Sequence, residues 1–180
     1  MCLAILGPGD TAVVCDPAFQ IHTYGVALAG ANVIKVPLGN DDAFLERIEN
    51  VLTHLYPKPK VIILNFPNNP TTMCVEPPFW DHVVTMAKRH GVMVIADYAY
   101  GETGFDGCRA PSFLQAEGAK EVGVEFSTMS KAYNMAGWRI GFCAGNPEMI
   151  KALATIKGYY DYGIFQAIQI AAIIAMRHCD

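Results

Sequence analysis

Short apolar runs alternate with longer amphipathic stretches along the whole chain of 180 residues. The short runs are rich in β-branched residues and predict strands at 12–15, 33–36, 61–64, 92–96, 124–129 and 140–144. The longer stretches predict helices at 21–29, 43–56, 79–90, 147–157 and 165–177. Run 92–96 is apolar at every position, which is typical of a strand buried on both faces. The alternation predicts an α/β fold in three layers, with helices on both faces of a mostly parallel sheet.

Composition and charge exclude several classes of protein. The chain is 52% hydrophobic and 17% charged, which excludes a disordered tail, a collagen repeat and a coiled coil. Its net charge is −4 and it has no basic stripe, so we expect no nucleic-acid partner. The longest apolar stretch, 164–176, is interrupted by Gln166 and Gln169 and is too short for a membrane span. The six scattered cysteines form no Cys-x-x-Cys pair, which favours reduced thiols in the cytoplasm.

Both ends of the chain have the composition of helix interiors. Residues 1–6 are almost entirely apolar and are stopped by Gly-Pro-Gly-Asp at 7–10, as at the end of a buried helix. The last predicted helix continues to the final residues without a turn signal. We therefore expect these 180 residues to be a segment truncated at both ends.

Polar residues follow three of the predicted strands, where ligands bind in sheets of this class. Taken singly, each has an ordinary explanation. Asp97 could cap a helix, the Asn-Pro pair at 69–70 could form a turn, and Lys131 could be a solvated lysine. The five histidines show no spacing that is typical of metal ligands, so we predict no metal site. The order of these polar segments along the chain is much more specific than any one of them.

In these segments the chain resembles the class I/II aminotransferases of fold type I, which use pyridoxal 5'-phosphate. The resemblance rests on NFPNNPT (65–71), ADYAY (96–100) and STMSKAYNMAGWRIGF (127–142). The chain looks most like the branch that holds alanine aminotransferases and LL-diaminopimelate aminotransferase-like enzymes. The resemblance implies that residues 1–180 are the central portion of the large, cofactor-binding domain, with the N-terminal segment and the C-terminal small domain absent.

The resemblance implies three catalytic residues. Lys131 matches the lysine that forms a Schiff base with the cofactor and then transfers protons as general base and acid. Asp97 matches the carboxylate that faces the pyridine nitrogen and keeps it protonated. Tyr100 matches the phenol that hydrogen-bonds the ring oxygen of the cofactor. The cofactor supplies the electron sink that stabilises a carbanion, and the protein supplies attachment and electrostatics.

Further cofactor contacts follow from the same resemblance. Asn69 matches an amide that binds the ring oxygen, and Phe19 matches an aromatic that stacks on the ring. Arg139 matches the phosphate-binding arginine, whose planar guanidinium can form two parallel hydrogen bonds. Thr128 and Ser130 would add hydroxyl contacts to the phosphate.

The chain departs from the family pattern at two positions. Thr128 stands where the family more often has serine, and Thr72 stands where many relatives have glycine. Threonine keeps the hydroxyl at position 128, so the first departure leaves the predicted phosphate contact in place.

The implied activity moves an amino group between an amino acid, with alanine expected first, and a 2-oxo acid. A homodimer is also implied, because sites of this family form at dimer interfaces. Two alternatives stay open: a pyridoxal-phosphate-dependent lyase on the same scaffold, and an inactive fragment or dimerisation module. The phosphate-binding loop and the arginine for the substrate carboxylate are missing from these residues. We therefore expect weak cofactor binding and little turnover from them alone.

Overall fold

Six strands form one sheet in the computed structural model, which describes residues 1–179. The strands are β1 (Thr11–Asp16), β2 (Asn32–Pro37), β3 (Val61–Asn65), β4 (Met93–Asp97), β5 (Gly123–Thr128) and β6 (Gly141–Gly145). The helices are α1 (Cys2–Ile5), α2 (Gln20–Leu28), α3 (Asp42–His54), α4 (Pro77–His90), α5 (Ala119–Val122), α6 (Met129–Ala132), α7 (Pro147–Tyr160) and α8 (Gln166–His178). Short 3₁₀ turns lie at Phe113–Gln115 and Ala136–Trp138.

The sheet has the order β2-β1-β3-β4-β5-β6. Its first five strands are parallel, and β6 runs antiparallel to β5. The prediction of a three-layer α/β fold with a mostly parallel sheet is confirmed. The register sets Asn65 level with Asp97, and Asp97 level with Phe126, so the carboxyl ends of β3, β4 and β5 meet at one edge.

One face of the sheet is covered by α3 and α4. Side chains that alternate along β1, β3 and β4 pack there against apolar residues of both helices, as expected when every second residue of a strand faces the same way. Helix α3 is capped by Asp41, whose side chain accepts a hydrogen bond from the Phe44 N–H (2.9 Å). Helix α4 ends at Gly91 in the left-handed conformation that glycine adopts without strain.

The opposite face is covered by α1, α2 and α7. Its buried cluster is smaller and includes Val26 of α2 and Met149 of α7. Several large apolar side chains of this layer remain exposed, among them Tyr24 and Leu28 of α2. Helix α8 buries only Ala172, against Met129, Met135 and Ile140.

The structure differs from the predicted elements mainly at their ends. The strand predicted at 124–129 ends at Thr128, because the Thr128 hydroxyl accepts a hydrogen bond from the Ser130 N–H (3.1 Å) and caps α6. Within residues 1–179, no helix is both long and apolar enough to cross a bilayer. The large apolar side chains of α8 that remain exposed are Ile170, Ile173, Ile174 and Met176.

Candidate active site

Asp97 lies at the carboxyl end of β4, at the centre of the polar edge. Its Oδ2 atom lies 2.8 Å from Nε2 of His22, a buried histidine in the first turn of α2. Its Oδ1 atom accepts a hydrogen bond from the Ala99 N–H at 3.1 Å. Both oxygens are therefore held in fixed directions, while the side chain keeps partial access to solvent. A preoriented carboxylate of this kind suits pairing with a cationic ring nitrogen.

His22 was not among the residues that the sequence singled out. It lies three residues after Phe19, one helical turn further along the chain, and their rings meet edge to face with centroids 6.0 Å apart. The signal in the sequence was this one-turn spacing within DPAFQIH, residues 16–22. Phe19 itself is 46% exposed, so packing in the hydrophobic core does not explain a phenylalanine at this position.

A buried amide joins the ends of β3 and β4. The Asn65 side chain donates to the backbone oxygens of Asp97 (2.9 Å) and Pro67 (3.1 Å). Its Oδ1 atom accepts a hydrogen bond from the Asn69 N–H at 2.9 Å. Asn65 therefore ties the turn that carries Asn69 to the strand that carries Asp97. The sequence motif contained Asn65, but nothing in its residue type alone marked this role.

Lys131 and Tyr100 come together although they follow different strands. The Lys131 Nζ atom lies 5.5 Å from the centroid of the Tyr100 ring, within the range of a cation–π contact. Lys131 is exposed and belongs to α6, directly after β5, whereas Tyr100 is half-buried and follows β4. An amine and a phenol thus face each other at the edge that holds Asp97.

The hydroxyls of Thr128 and Ser130 form a pair beside the lysine. The Thr128 hydroxyl donates to Ser130 Oγ at 3.0 Å. The antiparallel register pairs Thr128 with Gly141, and Arg139 lies two residues before that end of β6. The Arg139 guanidinium donates to the Ala136 carbonyl (2.8 Å), and Arg139 is exposed.

Arg139 and Thr72 both adopt backbone conformations that non-glycine residues rarely take. Arg139 has φ 53° and ψ 48°, and Thr72 has φ 61°. The left-handed region costs a residue with a Cβ roughly 1–2 kcal/mol. The conformation of Thr72 is one that glycine would adopt without strain. Arg139 takes this conformation at the end of the Ala136–Trp138 turn, two residues before β6 begins.

An apolar cavity of about 410 Å³ lies beside the Asp97–His22 pair. Its walls come from α1, α2 and the strand ends, and they include Ile95, Phe126 and Thr128. A carboxylate that can accept from a cationic ring, an amine, a phenol and paired hydroxyls are groups that suit a cationic heteroaromatic phosphate. The residues present therefore fit pyridoxal 5'-phosphate in type and in placement along one edge. Within residues 1–179, no group of three or more His, Cys, Asp or Glu side chains is placed to hold a metal ion.

Burial changes several pKa values around this edge. Burial raises the pKa of Tyr98 to about 12, helped by the charges of Glu102 and Glu125. Burial also raises the pKa of the Glu125 carboxyl, against hydrogen bonds from Ser112 and Phe113 that lower it. The thiol of Cys15, inside the sheet, has its pKa raised to about 12 by burial and is unreactive at neutral pH.

Comparison with known proteins gives a consistent result. The family model described as aminotransferase class I and II matches residues 1–178. The chain is 51% identical over 174 residues to the glutamate-pyruvate aminotransferase AlaC of Escherichia coli K12, covering 97% of the chain and 42% of that protein. It is 44% identical over 171 residues to an LL-diaminopimelate aminotransferase of Dehalococcoides mccartyi strain BAV1, covering 95% of the chain and 44% of that protein.

Solved structures agree with the sequence comparisons. The structure of apo-BacF from Bacillus subtilis matches with a TM-score of 0.90 and 36% identity, covering 98% of this chain and 47% of that one. The chain thus spans less than half the length of the relatives that it matches.

Proposed function

Because the chain belongs to the aminotransferase class I and II family, we propose that this protein moves an amino group between an amino acid and a 2-oxo acid with pyridoxal 5'-phosphate as its cofactor. The observation that carries the proposal is the meeting of the Lys131 amine and the Tyr100 ring at the edge that holds the Asp97–His22 pair. By its similarity to AlaC, alanine is the first amino donor to test, with 2-oxoglutarate as acceptor. The 180 residues would form the central portion of the large domain.

In this proposal, the cofactor is held by side chains from each strand end. Asp97 would accept a hydrogen bond from the protonated pyridine nitrogen, and its Oδ2 contact with His22 would keep it oriented. Asn69 and Tyr100 would bind the ring oxygen, and Phe19 would stack on the ring. Thr128, Ser130 and Arg139 would hold the phosphate. When bound, the cofactor supplies the electron sink for a carbanion next to the amino group.

The chain's own residues would then orient the cofactor and move protons. Lys131 would hold the cofactor covalently and, once released by the incoming amine, carry a proton between the substrate α-carbon and its own Nζ. The Tyr100 phenol would donate a hydrogen bond that stabilises negative charge on the ring oxygen. The apolar wall beside Asp97 would strengthen its pairing with the ring nitrogen, because a charge pair is stronger in a low dielectric.

The proposal is tested by measuring amino transfer from alanine to 2-oxoglutarate in the full-length protein. One glutamate formed for each pyruvate indicates transamination, whereas free ammonia would indicate lyase chemistry instead. Lys131→Ala should abolish transfer, and Lys151→Ala, at an exposed lysine of α7, should leave it unchanged. Undiminished transfer in Lys131→Ala would contradict the assignment.

We also propose a homodimer as the active form. Tyr159, Tyr160 and Tyr162 are 74–90% exposed, and Phe165 is 74% exposed, at the junction of α7 and α8. These rings are largely uncovered by residues 1–179, so of the two roles open to such a cluster, a subunit interface is better supported than internal packing. Sedimentation of the full-length protein should give twice the monomer mass, and a monomer at micromolar concentration would contradict this proposal.

We place the protein in the cytoplasm. All six cysteines are unpaired, although Cys74 and Cys108 are exposed. Unpaired exposed thiols favour a reducing compartment. Fractionation of source cells would test the assignment, and recovery in a secreted fraction would contradict it.

A further inference from the structure

The segment that follows β4, residues 98–112, carries Tyr100 and is here called the Tyr100 loop. The start of the loop is hydrogen-bonded to β5, because the Tyr98 N–H donates to the Phe126 carbonyl at 2.8 Å. Residues 102–109 are then exposed at every position, so the core does not fix them. The placement of the loop therefore depends on how its returning end is held.

The Tyr98 side chain joins the start of the loop to its returning end. Its hydroxyl donates to the Ala110 carbonyl at 2.5 Å. Its ring lies where a Cβ on Gly101 would come within 1.9 Å, so only glycine fits beside it. Residue 111 is held from outside the loop, because the Trp80 Nε1–H of α4 donates to the Pro111 carbonyl at 3.0 Å.

The end of the loop is held by a buried carboxylate on β5. Glu125 is only 8% exposed, and it is the one carboxylate among the buried polar residues of 1–179. Its two oxygens accept from the Ser112 hydroxyl at 2.8 and 2.9 Å, and Oε2 also accepts from the Phe113 N–H at 2.7 Å. A buried carboxylate is unfavourable unless donors surround it, and here they all come from the end of the loop and its continuation.

Glu125 also connects the two groups that face each other in the site. The strand that carries it continues to Thr128 and leads directly into the short helix of Lys131. The loop that it anchors carries Tyr100, whose ring centroid lies 5.5 Å from Lys131 Nζ. Strand β5 thus leads into the helix that carries the amine, and its Glu125 holds the loop that carries the phenol.

We propose that Glu125 is a positioning residue, whose buried carboxylate anchors the Tyr100 loop to β5 and thereby fixes the Tyr100 phenol relative to the Lys131 amine. The inference rests on the proposed function, because that function gives Tyr100 and Lys131 their roles. A carboxylate that served stability alone could be replaced by an apolar residue of similar size without harm to the site. A positioning carboxylate could be replaced only by a side chain that still offers an acceptor oxygen to Ser112 and Phe113.

The first test measures amide hydrogen exchange in the full-length protein without cofactor. Glu125→Leu should speed exchange in peptides covering 98–112 at least about tenfold, since it removes a buried acceptor of several hydrogen bonds. Glu125→Gln retains an acceptor oxygen and should restore near-normal exchange. Glu121→Gln, at an exposed glutamate of α5, is the matched control and should have no effect on the loop.

Unchanged exchange in Glu125→Leu would overturn the proposal. If Glu125→Leu does not fold, Ser112→Ala removes one donor from the same carboxylate while leaving the Phe113 N–H in place. It should speed exchange in the loop severalfold. Exchange at the wild-type rate in Ser112→Ala would then overturn the proposal in the same way.

The second test follows the absorbance of added pyridoxal 5'-phosphate against pH. Tyr100→Phe should raise the pH midpoint of the bound cofactor, because the ring oxygen loses a donor that stabilises its negative charge. Glu125→Leu should raise the midpoint in the same direction, and Glu125→Gln should not. A wild-type midpoint in Glu125→Leu, alongside faster exchange, would overturn the positioning role. A wild-type protein that takes up no cofactor would contradict the proposed function, while exchange still decides whether Glu125 anchors the loop.

Discussion

The two faces of the sheet are built differently. Under α3 and α4, hereafter the aromatic face, rings pack in a continuous series from Phe66 through Phe79 and Trp80 to Phe113. Neighbouring centroids in that series lie 5.2–5.5 Å apart, close enough for favourable edge-to-face contacts. Under α1, α2 and α7, hereafter the open face, the buried cluster is smaller, and Leu28 is 74% exposed.

The functional groups follow the same division. Asp97 meets His22 on the open face, beside the apolar cavity. Trp80 and Glu125 meet the end of the Tyr100 loop beside the aromatic face. The aromatic face therefore stabilises the fold and holds the loop, while the open face leaves space for a ligand. We therefore expect that stability and chemistry can be perturbed separately in this molecule.

The largest expected effect is on stability at the aromatic face. Phe44→Ala should lower the free energy of unfolding by about 3–5 kcal/mol, because the fully buried ring leaves a cavity between α3, Phe66 and Phe79. Denaturant unfolding measures the change. Leu28→Ala, on the open face, should change it by less than about 0.5 kcal/mol. Equal losses from the two substitutions would remove the distinction between the faces.

The next effect is on activity at the open face. Asp97→Asn should lower the rate of amino transfer by about 10²–10³-fold, the scale of losing a preorganised electrostatic group. Unfolding should change far less than in Phe44→Ala, because Asp97 is partly exposed. Asp16→Asn is the control, since Asp16 also ends a strand but pairs with Lys35 at the surface. Near-normal transfer in Asp97→Asn would show that this carboxylate has another role.

Much of this arrangement could be predicted from the sequence. Segments with strong local signals were placed correctly: β-branched apolar runs became strands, and amphipathic stretches became helices. The edge where Asp97 and Lys131 lie followed from parallel strands, whose carboxyl ends meet on one side. The roles of the residues at that edge came from the resemblance and remain predictions.

The contacts between distant segments could not be predicted. His22 meets Asp97 across 75 positions of sequence, and Glu125 meets Ser112 across 13, with no periodicity linking either pair. A lone histidine in a helix and a lone glutamate in a strand carry no local signal of their partners. The left-handed conformation of Thr72 was equally hidden, because threonine ordinarily avoids it.

A smaller effect should follow from removing the histidine partner. His22→Phe keeps a ring against Phe19 but removes the Nε2 contact with Asp97. The rate of transfer should fall about tenfold, or about 1.4 kcal/mol, near the lower end for a hydrogen bond to a charged group. Steady-state kinetics measure it, with His82→Phe at an exposed position of α4 as control. A loss as large as that of Asp97→Asn would mean that His22 contributes more than orientation.

The smallest effect is a pH dependence of stability that comes from Glu125, beside the aromatic face. Burial raises the pKa of this carboxyl in the folded protein, so the protonated form contributes stability below its unfolded pKa, near 4.5. That contribution should be lost as pH rises through the folded pKa, and Tyr98, with its pKa raised to about 12, does not titrate in that window. Urea unfolding between pH 4 and 8 should show this decline relative to Glu125→Gln, which cannot ionise. Glu117→Gln, at an exposed glutamate, should reproduce the wild-type curve. If Glu125→Gln followed the wild-type curve as well, the hydrogen bonds to the carboxylate would fully offset the cost of burying its charge. Its anchoring of the Tyr100 loop would then be independent of pH.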